Sequence, residues 1–363
     1  MEWTWDIIQR DWLTGNGKVD FSDAIVLESF NRTDRLLGTD WIQRHRQLQS
    51  GIIHSGSSVT LEIIKVGLQL LALDGARNAD SIIQRLRNCD TSAMAELTAI
   101  HLAKCSSADL DIAPPVAVGD RVKVPDFRIR RSNEPWTNVE VSRPSFSEEH
   151  DAARELQHRI SEAANKIEMT FQAEVHLRKI LSTEEEVRLL AEMKIAIESA
   201  KSSEVAFEDW GLVSVSTPSS ALGTLAPKWS DGPRVMTMSG SLTEGGAHQQ
   251  IGVYISISDE RADDALRKEA RQLPADEPAI VMFDMHSVPG GFSVWEKIIR
   301  RRLQPTLHTR VGAVVLYQAF LVSGQNPGAM TLELSKRLIL NPHAKNPVPL
   351  WLVDRISQPT NFC

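Results

Sequence analysis

The stretch VKVPDFRIRRSNEPWTNVEVSRP, residues 122–144, constrains the fold more than any other part of this chain. It reads as two short strands joined by a turn, because side chains of opposite character alternate with the period of two that a strand imposes. In Asn138-Val139-Glu140-Val141-Ser142 the valines point to one face, and Glu140 with Ser142 points to the other. A valine face packed on a core leaves Glu140 and Ser142 facing a cleft. On the preceding strand Asp126 follows Pro125, which has no N–H to give to a sheet ladder and marks a strand edge or bulge.

Asp126 and Glu140 stand fourteen residues apart, a spacing that suits adjacent antiparallel strands bringing two carboxylates together at the end of a sheet. Two such acids make a hard-oxygen site suited to Mg²⁺ or Mn²⁺. Glu96 joins them as a third acid. Ala93, Ile100 and Ala103 lie three, four and seven residues from it, so it falls on the apolar stripe of its own helix. A carboxylate there is costly unless paired or bound to a metal.

Around these residues the chain is organised as α/β. Residues 1–90 form a helical N-terminal region, with VTLEIIKVGLQLLAL (59–73) as a core helix and NADSIIQRLRN as an amphipathic one. From Thr91 the order becomes a helix N-capped by Asp90, three strand-like segments (LDIAPPV, VKVPDFRIR, WTNVEVS), and a long helix. Ser145 with Glu148 predicts a capping box for that helix, and Thr183 with Glu186 another for the helix after it. Beyond residue 205, RVMTMSGSL and IGVYISIS read as paired strands. AIVMFDM and RVGAVVLYQAFLV are buried strands between helices, which argues for parallel pairing covered on both faces. The expected division is 1–90 helical, 91–205 the acid-bearing core with its long helices, and 206–363 a C-terminal α/β part continuing the same sheet.

Composition removes several classes. The formal charge of −7 on 363 residues does not mark the whole chain as a nucleic-acid binder, so such a role needs local basic patches. Cys89, Cys105 and Cys363 have no CxxC spacing, which excludes a zinc ribbon and a disulfide framework. No secretory signal opens the sequence. The longest apolar run, Val311 to Val322, is too short to span a bilayer, so a cytoplasmic protein without a membrane partner is expected. There is no P-loop, HExxH or GxSxG, and the ten histidines show no ligand spacing. TGNGKVDFSD (14–23) has part of an EF-hand pattern but Trp12 at its first ligand position, and reads as a turn. Asp284 and His286 end an apolar strand, where α/β sheets often bind ligands, and read as a strand-end loop.

The order Glu96 on a helix, Pro125-Asp126, Glu140-x-Ser142, then a long helix resembles the PD-(D/E)XK nuclease superfamily over roughly residues 91–170. The resemblance implies a restriction-endonuclease-like mixed sheet flanked by helices, and hydrolysis of phosphodiester bonds in nucleic acid, DNA ahead of RNA. It implies Asp126 and Glu140 as ligands of Mg²⁺ or Mn²⁺, Glu96 as an accessory acid and metal ligand, and a lysine that orients the attacking water. This chain carries Ser142 where that lysine stands. Some members place the basic group elsewhere, and the candidates here are Lys123, Lys166 on the following helix, and Arg143, which strand alternation turns the other way. Gln157, seventeen residues after Glu140, resembles the motif glutamine of the RecB-like branch. Lys123, Arg128, Arg130 and Arg143, with Gln157, are the expected nucleic-acid contacts. Lys297 and Arg300 to Arg302 form a second basic cluster that a helix dipole explains. The alternative that Ser142 favours is a nuclease-like module without catalysis, binding nucleic acid or a protein partner. The helical N-terminal region is suited to forming a homodimer or recognising a target.

Overall fold

The computed structural model describes residues 6, 10, 20–48, 56–118, 121–199, 201–216, 234–242, 248–257, 259–288, 291–323 and 330–359. They form an α/β protein with two mixed sheets and ten α-helices among the described residues. Five helices come first: α1 (Asp23–Leu37), α2 (Trp41–Leu48), α3 (Gly56–Leu70), α4 (Ala79–Arg87) and α5 (Thr91–Ala103). Then come β1 (Ala108–Ile112), β2 (Val116–Val118), β3 (Arg121–Lys123), β4 (Phe127–Arg131) and β5 (Thr137–Ser142). The chain continues through α6 (Glu148–Asn165), β6 (Phe171–Leu177), α7 (Thr183–Glu198), β7 (Ser203–Phe207), β8 (Gly211–Ser216), β9 (Arg234–Leu242) and β10 (His248–Ser256). It closes with α8 (Ala262–Ala270), β11 (Ala279–Asp284), α9 (Gly291–Arg302), β12 (Ala313–Ser323), β13 (Met330–Leu340) and α10 (Leu350–Ser357).

The chain divides into two units. One comprises Met1–Pro144, Arg261–His286 and Trp295–Cys363; the other comprises Ser145–Glu260 and Ser287–Val294.

The first unit holds the six-stranded sheet, ordered β1-β4-β5-β11-β12-β13. Its two central pairings, β5 with β11 and β11 with β12, are parallel, and the outer ones are antiparallel. Ile280 to Phe283 and Ala313 to Leu316 are fully buried, as central parallel strands covered on both faces must be. Helix α5 is buried nearly all round, so it lies in the core; Asp90 caps it by accepting from the N–H groups of Ser92 (2.8 Å) and Ala93 (3.4 Å). The N-terminal helices pack into this same core, α1 meeting α3 at Gly67. Helix α8 packs on β5 and β11.

In the second unit the sheet is ordered β7-β8-β6-β10-β9, with β6 and β10 parallel and the other pairs antiparallel. Ala153, Leu156, Ile160 and Ala164 of α6 and Leu189 and Met193 of α7 share a core with Val175, Val213, Val253 and Ile255 of the strands.

Several expectations need correction. The long segment VKVPDFRIR is two strands, β3 and β4, because Pro125-Asp126 interrupts it. Ser147, not Ser145, caps α6, its hydroxyl accepting from the His150 N–H at 3.1 Å. The capping box of α7 sits one residue earlier than read, on Ser182 and Glu185. Strands β11 to β13 do extend the acid-bearing sheet, whereas RVMTMSGSL and IGVYISIS, paired as expected, belong to the other. Residues 14–19 of the EF-hand-like segment lie outside the described residues. No helix among the described residues is long and apolar enough to cross a membrane.

Candidate active site

The ladder between β4 and β5 ends at the pair Phe127–Val139. Beyond it the backbone of β5 has no partner on that side, and the side chain of Asp126 takes over. Its Oδ2 accepts from the Val141 N–H at 2.7 Å, which draws the carboxylate across to β5. Glu140 projects at the same level and is 3% exposed. The two carboxyls are within hydrogen-bonding reach of each other.

Both titrate above the ordinary carboxylate range. For Glu140 burial is the largest cause and the Asp126 charge the next; for Asp126 burial is partly offset by the Val141 N–H. Two buried carboxyls that raise one another in this way favour a state in which one of them stays protonated. No N–H or O–H donor among the described residues reaches the buried Oε1 of Glu140. A buried oxygen of this kind needs a proton or a cation.

A third acid stands near the pair, and sequence reasoning missed it. Glu269 of α8 is 4% exposed, and its charge helps raise both Asp126 and Glu140. Its Oε2 accepts from Gln272 Nε2 at 3.0 Å, and Lys268 Nζ lies 3.4 Å from Oε1. The signal was in the sequence: Glu269 follows Ala262 by seven residues and Leu266 by three, on the buried stripe of its helix. That is the pattern that drew attention to Glu96.

Glu96 has a different explanation. Arg85 of α4 grips it with two parallel bonds, Nη1 to Oε2 and Nη2 to Oε1, each 2.7 Å, while Arg85 Nε reaches Asp90 at 2.8 Å. Burial, the largest influence, leaves the Glu96 carboxyl raised, although the guanidinium fork pulls it down. The same acids outweigh burial at Arg85 and hold its charge firmly. The symmetric fork favours an ionised Glu96. Its burial is therefore satisfied by an ion pair, and both oxygens are occupied. Among the described residues no three His, Cys, Asp or Glu side chains converge on one cation position.

The expected basic residues divide. Lys123 of β3 donates to the Arg271 carbonyl at 3.1 Å, and its charge acts on Glu140. Arg128 is held by Asp111 (2.8 and 3.1 Å) and Arg130 by Asp109 (3.3 Å). Both guanidiniums also stack on Trp136, at 4.5 and 4.4 Å from its ring centre. These two arginines share one face of β4, as expected, but their charge is already balanced. Arg143 lies one residue past β5, turned from Glu140 as alternation requires, 3.7 Å from Asp284 at the end of β11. Ser142 is half-buried at the end of β5, in register with Phe283. Gln157 and Lys166 belong to the second unit: Gln157 is buried and donates to the Val253 carbonyl at 3.1 Å, and Lys166 ends α6. Gln157 thus serves its own sheet. Of the second basic cluster, Arg300 pairs with Glu296 (2.7 Å) and Arg302 with Asp263 (2.8 Å).

Comparisons with family models, with curated proteins and with solved structures found no match.

Proposed function

We propose that this chain is a divalent-metal-dependent nuclease of the PD-(D/E)XK, restriction-endonuclease-like kind, a hydrolase of phosphodiester bonds acting on DNA in preference to RNA. The observation that carries the reading is the Asp126–Glu140 pair, Asp126 half-buried and Glu140 buried, with a Glu140 oxygen that no donor among the described residues satisfies. The order of elements supports it: a helix, antiparallel strands bearing the two acids, then a parallel strand reached through a helix that packs on the sheet.

Asp126 and Glu140 would hold Mg²⁺ or Mn²⁺. Two carboxylates suit Mg²⁺, which keeps several waters and takes further oxygens from substrate phosphates rather than from an all-protein cage. Glu269 adds negative charge close by. The ion would supply a more acidic bound water and offset charge on the phosphate. Lys123 is the residue we assign to the place of the motif lysine, because its charge acts on Glu140 and it belongs to the same unit. The Ser142 hydroxyl, on the Glu140 face, can hold a water by hydrogen bonds but carries no charge to stabilise a hydroxide.

The second reading, a nuclease-like module that binds without cleaving, is favoured by Ser142, which carries no charge. One experiment separates the two. Purified wild type, Asp126→Ala and Lys123→Met are incubated with DNA and Mn²⁺, and Mn²⁺ uptake is followed by calorimetry. The nuclease reading expects cleavage by wild type, none by Asp126→Ala, and in Lys123→Met retained Mn²⁺ binding with a rate roughly a hundredfold lower or more. Equal cleavage by wild type and Asp126→Ala would sink it; Mn²⁺ uptake without cleavage by wild type selects the binding module.

A further inference from the structure

The end of the six-stranded sheet that carries Asp126 and Glu140 also carries a second polar cluster, on the opposite face. There β5 and β11 finish side by side. Arg143 lies one residue past β5, Asp284 is the last residue of β11, and Tyr317 of β12 is the register partner of Asp284. Asp284 Oδ1 accepts from the His286 N–H at 3.1 Å, which folds the chain back at the strand end and leaves the His286 side chain exposed. Lys65 of α3, paired with Glu62 at 2.6 Å, and Arg143 both act on His286, and the carboxylates of Asp284 and Glu62 oppose them. Buried Tyr317 closes the floor, its hydroxyl donating to the Ala95 carbonyl at 2.8 Å.

Arg143 differs from the other arginines of this sheet. Arg128 and Arg130 are closed on aspartates and lie against an indole. Among the described residues the one ion pair of Arg143 is the long contact to Asp284, at 3.7 Å, and no hydrogen bond occupies its fork. Asp284, for its part, spends one oxygen on the His286 backbone. Five guanidinium donors remain at a solvent-reached strand end, with an exposed imidazole and a second cation beside them. Planar, divergent N–H donors of this kind match the oxygens of a phosphate.

We infer that Arg143, His286 and Lys65 form a phosphate-binding subsite at the ends of β5 and β11, which takes a phosphate of the substrate flanking the bond that is cut. The role of the subsite rests on the nuclease reading; its anion chemistry does not. Arg143 supplies the bidentate contact, the His286 ring a single donor, and Lys65 a nearby charge.

Pyrophosphate, titrated calorimetrically in EDTA at low salt, tests the subsite without any metal. Wild type is expected to bind it, Arg143→Ala to bind about tenfold more weakly or worse, and Arg143→Lys to fall between, since a lysine keeps the charge and loses the fork. Arg128→Ala, whose guanidinium is already committed, is expected to match wild type. Pyrophosphate binding by Arg143→Ala equal to wild type, or none by wild type, overturns the inference. Should Arg143→Ala fail to fold, Arg143→Lys and Lys65→Met decide by the same measure, each with its thermal midpoint compared with wild type. Mn²⁺ titrations of the same samples keep the two ideas apart. Pyrophosphate binding lost while Mn²⁺ binding persists supports the subsite. Arg143-dependent pyrophosphate binding in a wild type that takes up no Mn²⁺ would count against the nuclease reading alone.

Discussion

Replacing Glu140 by Gln should stabilise the metal-free protein in alkali and abolish its response to metal. Burial and the neighbouring Asp126 push the Glu140 carboxyl up to about 9, from an ordinary 4.5. A group raised on folding contributes stability below its unfolded value and loses it as pH climbs through the folded one. Each pH unit above 4.5 therefore costs the wild type about 1.4 kcal/mol, until the folded group itself ionises. At pH 8 an isolated group would account for about 5 kcal/mol; because Asp126 shares the titration, we expect about 2–4 kcal/mol. Glutamine keeps the shape and donates an N–H to Asp126 as the protonated acid does, without titrating. For a body of this size that is a rise of roughly 5–10 °C in the thermal midpoint at pH 8, shrinking towards zero near pH 5. Scanning calorimetry of both proteins from pH 5 to 9 in EDTA measures it. With Mn²⁺ at about a hundred times its dissociation constant most of that gap closes, wild type gaining about 2.7 kcal/mol and Glu140→Gln little. Midpoints that run parallel across the whole pH range would show that Glu140 holds no proton, and the protonated state of the pair would then be wrong.

Arg85→Met leaves Glu96, 3% exposed, without its counter-charge, and should destabilise the fold by about 3 kcal/mol in urea titrations. Adding Glu96→Leu should restore most of that loss; an equal loss in the double variant would mean the ion pair is not what Arg85 contributes. Gly67→Ala tests how closely α1 and α3 approach: a Cβ there would lie 2.6 Å from the Ser29 Cα and carbonyl oxygen. Although alanine is the better helix former by about 1 kcal/mol, we expect a net loss of about 1–3 kcal/mol; a variant as stable as wild type would refute the close packing.

Much of the first unit was legible in the sequence because its signals are local. Asp90 before an apolar run predicts the start of α5, and alternation around Glu140 predicts both the buried Val139 and the face that Glu140 shares with Ser142. The break at Pro125 was legible as an edge, and it positions Asp126. What could not be read was pairing. Glu96 on an apolar stripe needed a partner, and nothing local says whether that partner is a metal or a guanidinium eleven residues earlier on another helix. Arg128 and Arg130 look like a cationic strand until β1 lies beside them with Asp111 and Asp109 in register. Charge on a strand is a property of its neighbours as much as of its own residues.

The second unit was hidden for a topological reason. Helix α6 follows β5 after a short link, so in sequence it looks like the helix that carries the chain from the acid-bearing strand to the next strand of the same sheet. The parallel pairing of β5 with β11 requires a crossover, but the chain first completes a separate five-stranded sheet with its own core. Only then does α8 complete the crossover, packing on β5 and β11. The consequence is chemical. Within the first unit the helix that packs on β5 and β11 is α8, so Glu269 and its neighbours are the residues to search for partners, while Gln157 and Lys166 belong to the second unit. Within the first unit α8 brings the acid Glu269 to the pair. The hairpin strand β3, just before Pro125-Asp126, supplies Lys123, tied to α8 through the Arg271 carbonyl. On the proposed nuclease reading, a lysine displaced from β5 to β3 keeps its charge near Glu140 while leaving Ser142 free to be a serine.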